Sequence, residues 1–232
     1  MTQRLDQVLA SLGFGTRSEV RRIIRNGRVT VNGVKILRPE TKTDPGGDVI
    51  RLDGAELAWT EHEYLMLNKP AGVITAARDS RQKTVMDLIS GGRRGIQPVG
   101  RLDKDTTGLL LITDDGDLAH RLLSPAHHVD KTYEAVTDRP IPASAVRAFA
   151  EGIVLPDFTA RPAELEITGP CRARVTLSEG KFHQVRRMFG AVGVTVTELR
   201  RTAFGPLVLD PDLREGEWRK LSPAEEKALK AL

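Results

Sequence analysis

Apolar positions recur along this chain at two different periods. Leu5, Val8, Leu9 and Leu12 fall at i, i+3, i+4 and i+7, one face of a short helix that stops at Gly13 and Gly15. Thr16-Arg17-Ser18-Glu19 has the spacing of a capping box. Val20, Ile23 and Ile24 then supply a core face, and Gly27 stands where a left-handed C-terminal residue is needed, so a second helix is predicted. Val29 to Val31, the pair Asn32-Gly33, and Val34 to Ile36 read as a strand, a type I′ turn and a returning strand. Two helices and a hairpin make one small unit.

From about residue 60 the pattern changes. Apolar strands are predicted around 64 to 69, 109 to 113, 131 to 136, 163 to 167, 172 to 177 and 194 to 200, with helices near 117 to 123, 142 to 151 and 183 to 192. The helix after Asp114-Asp115-Gly116 is expected to take Asp117 as its cap and to carry Leu118, Leu122 and Leu123. Ser222-Pro223-Ala224-Glu225 starts a short terminal helix, by capping-box spacing and proline at the first helical position. The fold class is α+β: a small N-terminal module, then a domain with a mainly antiparallel, mixed sheet flanked by helices. The polar, Gly-containing stretch from Asp53 to Glu63 separates them, giving domains 1 to 60 and 61 to 232.

Composition narrows the class. The 232 residues are 40% hydrophobic but only 4% aromatic, so the core is built mostly from Leu, Val and Ile. Cys171 is the single cysteine, which rules out an intramolecular disulfide. Neither a signal segment nor a run of roughly 18 apolar residues is present, and a cytoplasmic protein without a membrane partner is expected. The formal charge of +4 is modest but uneven. Residues 1 to 38 carry Arg4, Arg17, Arg21, Arg22, Arg25, Arg28, Lys35 and Arg38 against only Asp6 and Glu19. Such a segment points to a polyanion, either nucleic acid or an anionic membrane surface. Arg17, Arg21 and Arg25 lie at i, i+4 and i+8, a stripe that can meet phosphates while the helix keeps its apolar face buried.

The candidate chemistry lies in the polar loop from Pro98 to Gly108, which leads straight into the strand Leu109 to Thr113. Its Arg101-Leu102-Asp103 could equally be a surface ion pair. Asp103, Asp105, Asp114, Asp115 and Asp117 could hold Mg²⁺, yet they lack calcium-loop spacing, and Asp114-Asp115-Gly116 reads better as a turn. His120, His127, His128 and His183 offer no i, i+4 pair and no cysteine partners for zinc. No metal site is expected.

The stretch from Arg4 to Asp53, with Arg4-Leu5-Asp6 and Val29-Thr30-Val31-Asn32-Gly33, resembles an S4-type RNA-binding domain. Further on, Gly100-Arg101-Leu102-Asp103 followed by Thr107-Gly108-Leu109-Leu110 resembles the signature of ribosomal pseudouridine synthases. Lys131-Thr132-Tyr133 and the block from Glu179 to Met188 resemble that family's next two motifs, in order. Asp114 to Asp117, Ser124-Pro125-Ala126-His127-His128 and Lys181-Phe182-His183-Gln184 look most like the branch acting on small-subunit ribosomal RNA; relatives of the large subunit tend to have Asn-Arg in place of Phe182-His183.

The resemblance implies the following expectations. Asp103 is the nucleophile, Arg186 the cation that keeps it ionised, Tyr133 the ring that stacks on the uracil and takes its C5 proton, and Arg101 the side chain that fills the gap left by an everted base. Leu102 and Val185 wall the pocket, and Lys69, in Asn68-Lys69-Pro70, is structural. Arg4, Arg17, Arg21, Arg25, Arg28 and Lys35 contact RNA. The reaction has no redox step and calls for no cofactor. The expected partner is 16S ribosomal RNA, free or in a partly assembled small subunit, modified at uridine 516 by a monomer. A large-subunit 23S enzyme, an RNA-binding assembly factor without catalysis, and a metal-dependent nuclease are the competing readings.

Overall fold

A computed structural model of the chain describes residues 2–57, 59–90, 93, 95–124 and 126–232, so Pro125 of the Ser124 to His128 motif lies outside the described residues. The chain divides into two compact units, one of residues 1–63 and 90–96, the other of residues 64–89 and 97–232. The return of 90–96 to the first unit is invisible to a linear reading. It is made by Arg93, whose backbone N–H donates to Glu63 Oε2 at 2.8 Å and whose guanidinium reaches the Thr60 carbonyl at 2.6 Å.

In the first unit the helices are Leu5–Ser11 and Arg17–Arg25. Thr16 and Glu19 form the reciprocal capping box expected of them. The hairpin Val29–Val31 and Val34–Ile36 turns through Asn32 and Gly33, both at positive φ (49° and 81°), as a type I′ turn requires. Ile50–Leu52 and Ala55–Glu56 extend it to four strands, and Gln3–Arg4 pairs with Lys42–Thr43. Leu5, Val8, Leu9, Val20, Ile24, Val29 and Ile50 form the core, joining the predicted stripes of both helices to the hairpin.

The second unit is built on a nine-stranded sheet. Its main path runs Glu164–Gly169, Arg172–Leu177, Lys131–Thr137, Val196–Phe204, Thr106–Thr113, Tyr64–Lys69 and Trp218–Lys220, with two short strands at its side. Every pairing is antiparallel except that of Val196–Phe204 with Thr106–Thr113. Gly108 makes that parallel junction possible. At φ +101° it lies so near Arg201 that a Cβ would sit 2.2 Å from the Arg201 carbonyl oxygen. One core packs Tyr64, Met66, Leu109 and Leu111 against helix Gly116–Leu123 and terminal helix Pro223–Lys230. Helices Ser144–Glu151 and Gln184–Ala191 meet through Phe149 and Phe189, whose ring centroids are 5.1 Å apart.

One cap differs from expectation. Asp115, not Asp117, caps helix Gly116–Leu123: its Oδ1 accepts from Leu118 N–H at 2.9 Å and its Oδ2 from the Tyr64 hydroxyl at 2.7 Å. Asp117 falls inside the first turn, because the helix begins one residue earlier than the apolar pattern suggests. Among the described residues no helix is long and apolar enough to cross a membrane.

Candidate active site and RNA-facing residues

The loop that carries Asp103 is clamped from below. The Thr75 hydroxyl donates to the Leu102 carbonyl at 2.7 Å and accepts from Leu102 N–H at 3.1 Å. Lys69, fully buried, donates from Nζ to the carbonyls of Pro70, Lys104 and Thr106 at 3.0, 3.2 and 2.9 Å. Gly72 N–H reaches the same Lys104 carbonyl at 2.8 Å, and Thr106 N–H closes a turn onto the Asp103 carbonyl at 3.1 Å. Burial pushes the Lys69 ammonium down to about 8, the opposing pull of Asp105, Asp103 and Glu215 being smaller. A backbone held at so many points presents its side chains in a fixed direction.

Above this loop lies a cavity of about 60 Å³ lined by Arg101, Leu102, Asp103, Thr106, Tyr133, Leu199 and, from the segment Leu177 to Val185, Glu179, Lys181, His183 and Val185. Strand Lys131–Thr137 alternates strictly, so Tyr133 faces inward while Glu134 faces solvent. Leu102 and Val185 are each 5% exposed and supply apolar wall. The Asp103 side chain keeps 30% of its surface accessible, at the rim. Gln184, almost wholly buried, shapes the third side: its Oε1 accepts from Lys181 N–H at 3.0 Å and its Nε2 donates to Glu179 at 2.8 Å, folding the segment back before the helix starts.

The partner expected for Asp103 does not stand against it. His183 Nε2 stands 3.5 Å from Asp103 Oδ1. Arg186 instead sets Nη2 2.9 Å from Asp105 Oδ2 and donates from Nη1 to the Val196 carbonyl at 2.8 Å. The bond to Val196 anchors the guanidinium, and the turn at Thr106 separates Asp105 from Asp103 so that each takes its own partner. Arg186 therefore does not line the cavity, whereas Arg101, Leu102, Asp103, Tyr133 and Val185 all do. The sequence offers His183 as a zinc candidate and as part of the Lys181 to Gln184 branch motif, but nothing local pairs it with Asp103. A larger groove of about 770 Å³ adjoins through Leu199, lined in part by Asp105, Glu134, Arg172, Arg174, Glu198 and Arg200. Its charges alternate in sign, and none of Asp103, Tyr133 and Arg101 lines it.

In the first unit, the six basic residues expected to meet RNA fall into two sets. Arg4 and Arg21 are tied to Asp6, itself 1% exposed: Arg4 donates from Nε and Nη2 and Arg21 from Nε, each at 3.0 Å. Burial pushes the Asp6 carboxyl up, but the hydrogen bonds from the two arginines outweigh it and hold the carboxyl below the usual range. Arg28 is held by Asp53, with Nε 2.8 Å from Oδ1. Arg17, Arg25 and Lys35 are exposed and take part in no ion pair among the described residues. A concave site with a reachable carboxylate, in a chain that also carries a basic module, is suited to chemistry on one base of a polyanion.

Comparison with known proteins bears on that suggestion. The profile of the family described as RNA pseudouridylate synthase matches residues 63–191, more than half of the chain, and that of the S4 domain matches residues 3–50. The chain belongs to the RNA pseudouridylate synthase family. Its family's activity is the isomerisation of uridine in RNA. The chain is 41% identical over 229 residues to an uncharacterized RNA pseudouridine synthase of Bacillus subtilis, covering 96% of both. It is 42% identical over 228 residues to the ribosomal small subunit pseudouridine synthase A of Escherichia coli K12, covering 96% of this chain and 97% of that one. A crystal structure of a pseudouridylate synthase superposes with a TM-score of 0.69 at 38% identity, over 97% of this chain and 99% of the other. The matched region spans Asp103, Tyr133 and Arg186 alike.

Proposed function

We propose that this protein converts one uridine of 16S ribosomal RNA, at position 516 of that RNA, to pseudouridine, with Asp103 as nucleophile. The observation that carries the reading is the placement of a reachable carboxylate at the rim of a small cavity walled by Tyr133, Leu102 and Val185. Such a cavity is far below the roughly 300 to 1,000 Å³ of sites that engulf a whole ligand. It suits a single planar ring, with sugar and phosphate outside.

On this reading the base swings out of the RNA, and Arg101, exposed at the rim, occupies the vacated place. The Asp103 carboxylate attacks C1′ as the bond to N1 breaks, leaving a sugar ester and a uracil anion. The ring turns against Tyr133, C5 bonds to C1′, and the ester bond breaks, restoring the carboxylate. The Tyr133 hydroxyl relays the proton from C5 while N1 gains one, so no electron or proton is added overall and no cofactor is called for. Arg186 acts at one remove, holding Asp105 and the end of the loop. The basic module supplies phosphate contacts through Arg17, Arg25 and Lys35, with Arg4, Arg21 and Arg28 held in place by their carboxylates. Support for small-subunit RNA comes from the name of the Escherichia coli relative, 42% identical over nearly its whole length. A cytoplasmic monomer acting on RNA or on a partly assembled subunit fits this role.

The test treats ribosomal RNA from cells lacking the protein with a pseudouridine-specific reagent and maps the stops by primer extension. Loss of one stop in 16S RNA, restored by the wild-type gene but not by Asp103→Asn, is the expected result. An unchanged pattern in 16S RNA rejects the proposal, and a stop lost from 23S RNA moves the substrate to the large subunit.

A further inference from the structure

Phe182 leaves 76% of its surface in water, although aromatic rings are normally the residues a core claims first. It is not disordered surface apolarity. The ring lies flat on the imidazole of His183, with centroids 3.9 Å apart and planes 15° from parallel. His183 in turn occupies the left-handed region at φ 49°, a conformation that costs a non-glycine residue on the order of 1 kcal/mol and that clusters at ligand-binding positions. That backbone turn carries His183 to within 3.5 Å of Asp103. The result is a two-ring stack with its His183 end lining the cavity beside Asp103 and its Phe182 end open to solvent. On the same segment, Lys181, which also lines this cavity, sets its ammonium 4.1 Å over the Phe158 ring.

We infer that Phe182 is a stacking platform for the nucleobase next to the everted uridine, and that His183 couples this platform to Asp103. The inference rests on the uridine-isomerising reading and deepens it by naming how the strand beside the target is held. When a base leaves its stack, its neighbour loses a partner, and an exposed aromatic face replaces it. Base-aromatic stacking tolerates any base because each has a π face. Phe182 is therefore a positioning residue that acts on binding, and its loss shows in KM far more than in kcat at saturating RNA.

The test uses the full chain and a 16S RNA transcript carrying 2-aminopurine immediately 5′ or 3′ of the target uridine. Wild-type protein is expected to change the fluorescence of one of the two probes on binding, through stacking. Phe182→Ala is expected to abolish that change and to raise KM roughly 5- to 150-fold, the range of one lost base-aromatic stack. Phe182→Trp is expected to restore both. Because the ring is exposed, the alanine variant should melt with the wild type, which thermal unfolding checks. Equal KM and equal probe response in wild type and Phe182→Ala overturn the inference while leaving the isomerase reading intact. A wild-type protein that forms no pseudouridine in the transcript, either free or assembled into small-subunit particles, sinks the 16S reading, and this inference with it.

Discussion

Arg186 closes on Asp105, with Nη2 2.9 Å from Oδ2, while His183 Nε2 stands 3.5 Å from Asp103 Oδ1. Two carboxylates two residues apart thus have separate neighbours. Asp105 is mostly exposed, and an ion pair of that kind contributes about 1 kcal/mol or less. Asp103→Asn is expected to abolish pseudouridine formation with RNA affinity retained, whereas Asp105→Asn slows single-turnover conversion by no more than ~10-fold, the equivalent of about 1.4 kcal/mol. If both variants are equally dead, Asp105 shares the chemistry and the division of labour is wrong.

Gly108 joins the only parallel pair on the main path of the sheet to the loop that carries Asp103. Gly108→Ala would place a Cβ 2.2 Å from the Arg201 carbonyl oxygen at a φ of +101°, and neither backbone can yield cheaply. A loss of at least ~2 kcal/mol is expected, combining strain and steric overlap. Chemical unfolding measures it. A midpoint unchanged from wild type would mean that the two strands are not in this register.

Lys69 holds three carbonyls beneath the loop, two of them flanking Asp105. Lys69→Met keeps much of the volume but strands those acceptors, and a cost of about 3 kcal/mol is expected, with a fall in kcat because the loop loosens. The pH dependence has a definite sign. The folded value of about 8 lies below the ordinary 10.5, so between the two the unfolded chain binds more protons and stability rises with pH. Denaturant titrations between pH 7 and pH 10.5, flags of the shift itself, should show that rise in wild type and a shallower one in Lys69→Met.

Asp6 is the hub for Arg4 and Arg21. Its carboxyl is held below its ordinary 3.8, so the stability it contributes is present above that pH and is lost as pH falls through the lower folded value. Asp6→Ala should remove that acid-side loss and should also weaken RNA binding by freeing both arginines to wander. The freely exposed residues behave differently: Arg17→Ala and Arg25→Ala should each flatten the slope of log affinity against log salt by about 0.7 to 0.9, one phosphate contact apiece. Filter binding over a salt series reads this. Unchanged slopes in both variants would move the RNA to another face of the module.

Much of this protein is local and therefore readable in one dimension. The 3.6-residue stripe of Leu5, Val8 and Leu9, the Thr16 to Glu19 and Ser222 to Glu225 capping boxes, and the Asn32-Gly33 turn each depend on residues within a few positions of one another, and each occurs as the pattern predicts. The three ordered motifs likewise pointed to the family that the comparisons establish. The sequence alone therefore determined these local elements and the family. Tertiary structure decided who meets whom: Asp115 rather than Asp117 at a helix start, Asp105 rather than Asp103 against Arg186, and residues 90–96 with the first unit. The reason is geometric. A cap or a turn is set by backbone only a few bonds away, whereas an ion pair between a helix and a loop more than 80 residues apart depends on the direction in which each aims its side chain, and no periodicity encodes that angle.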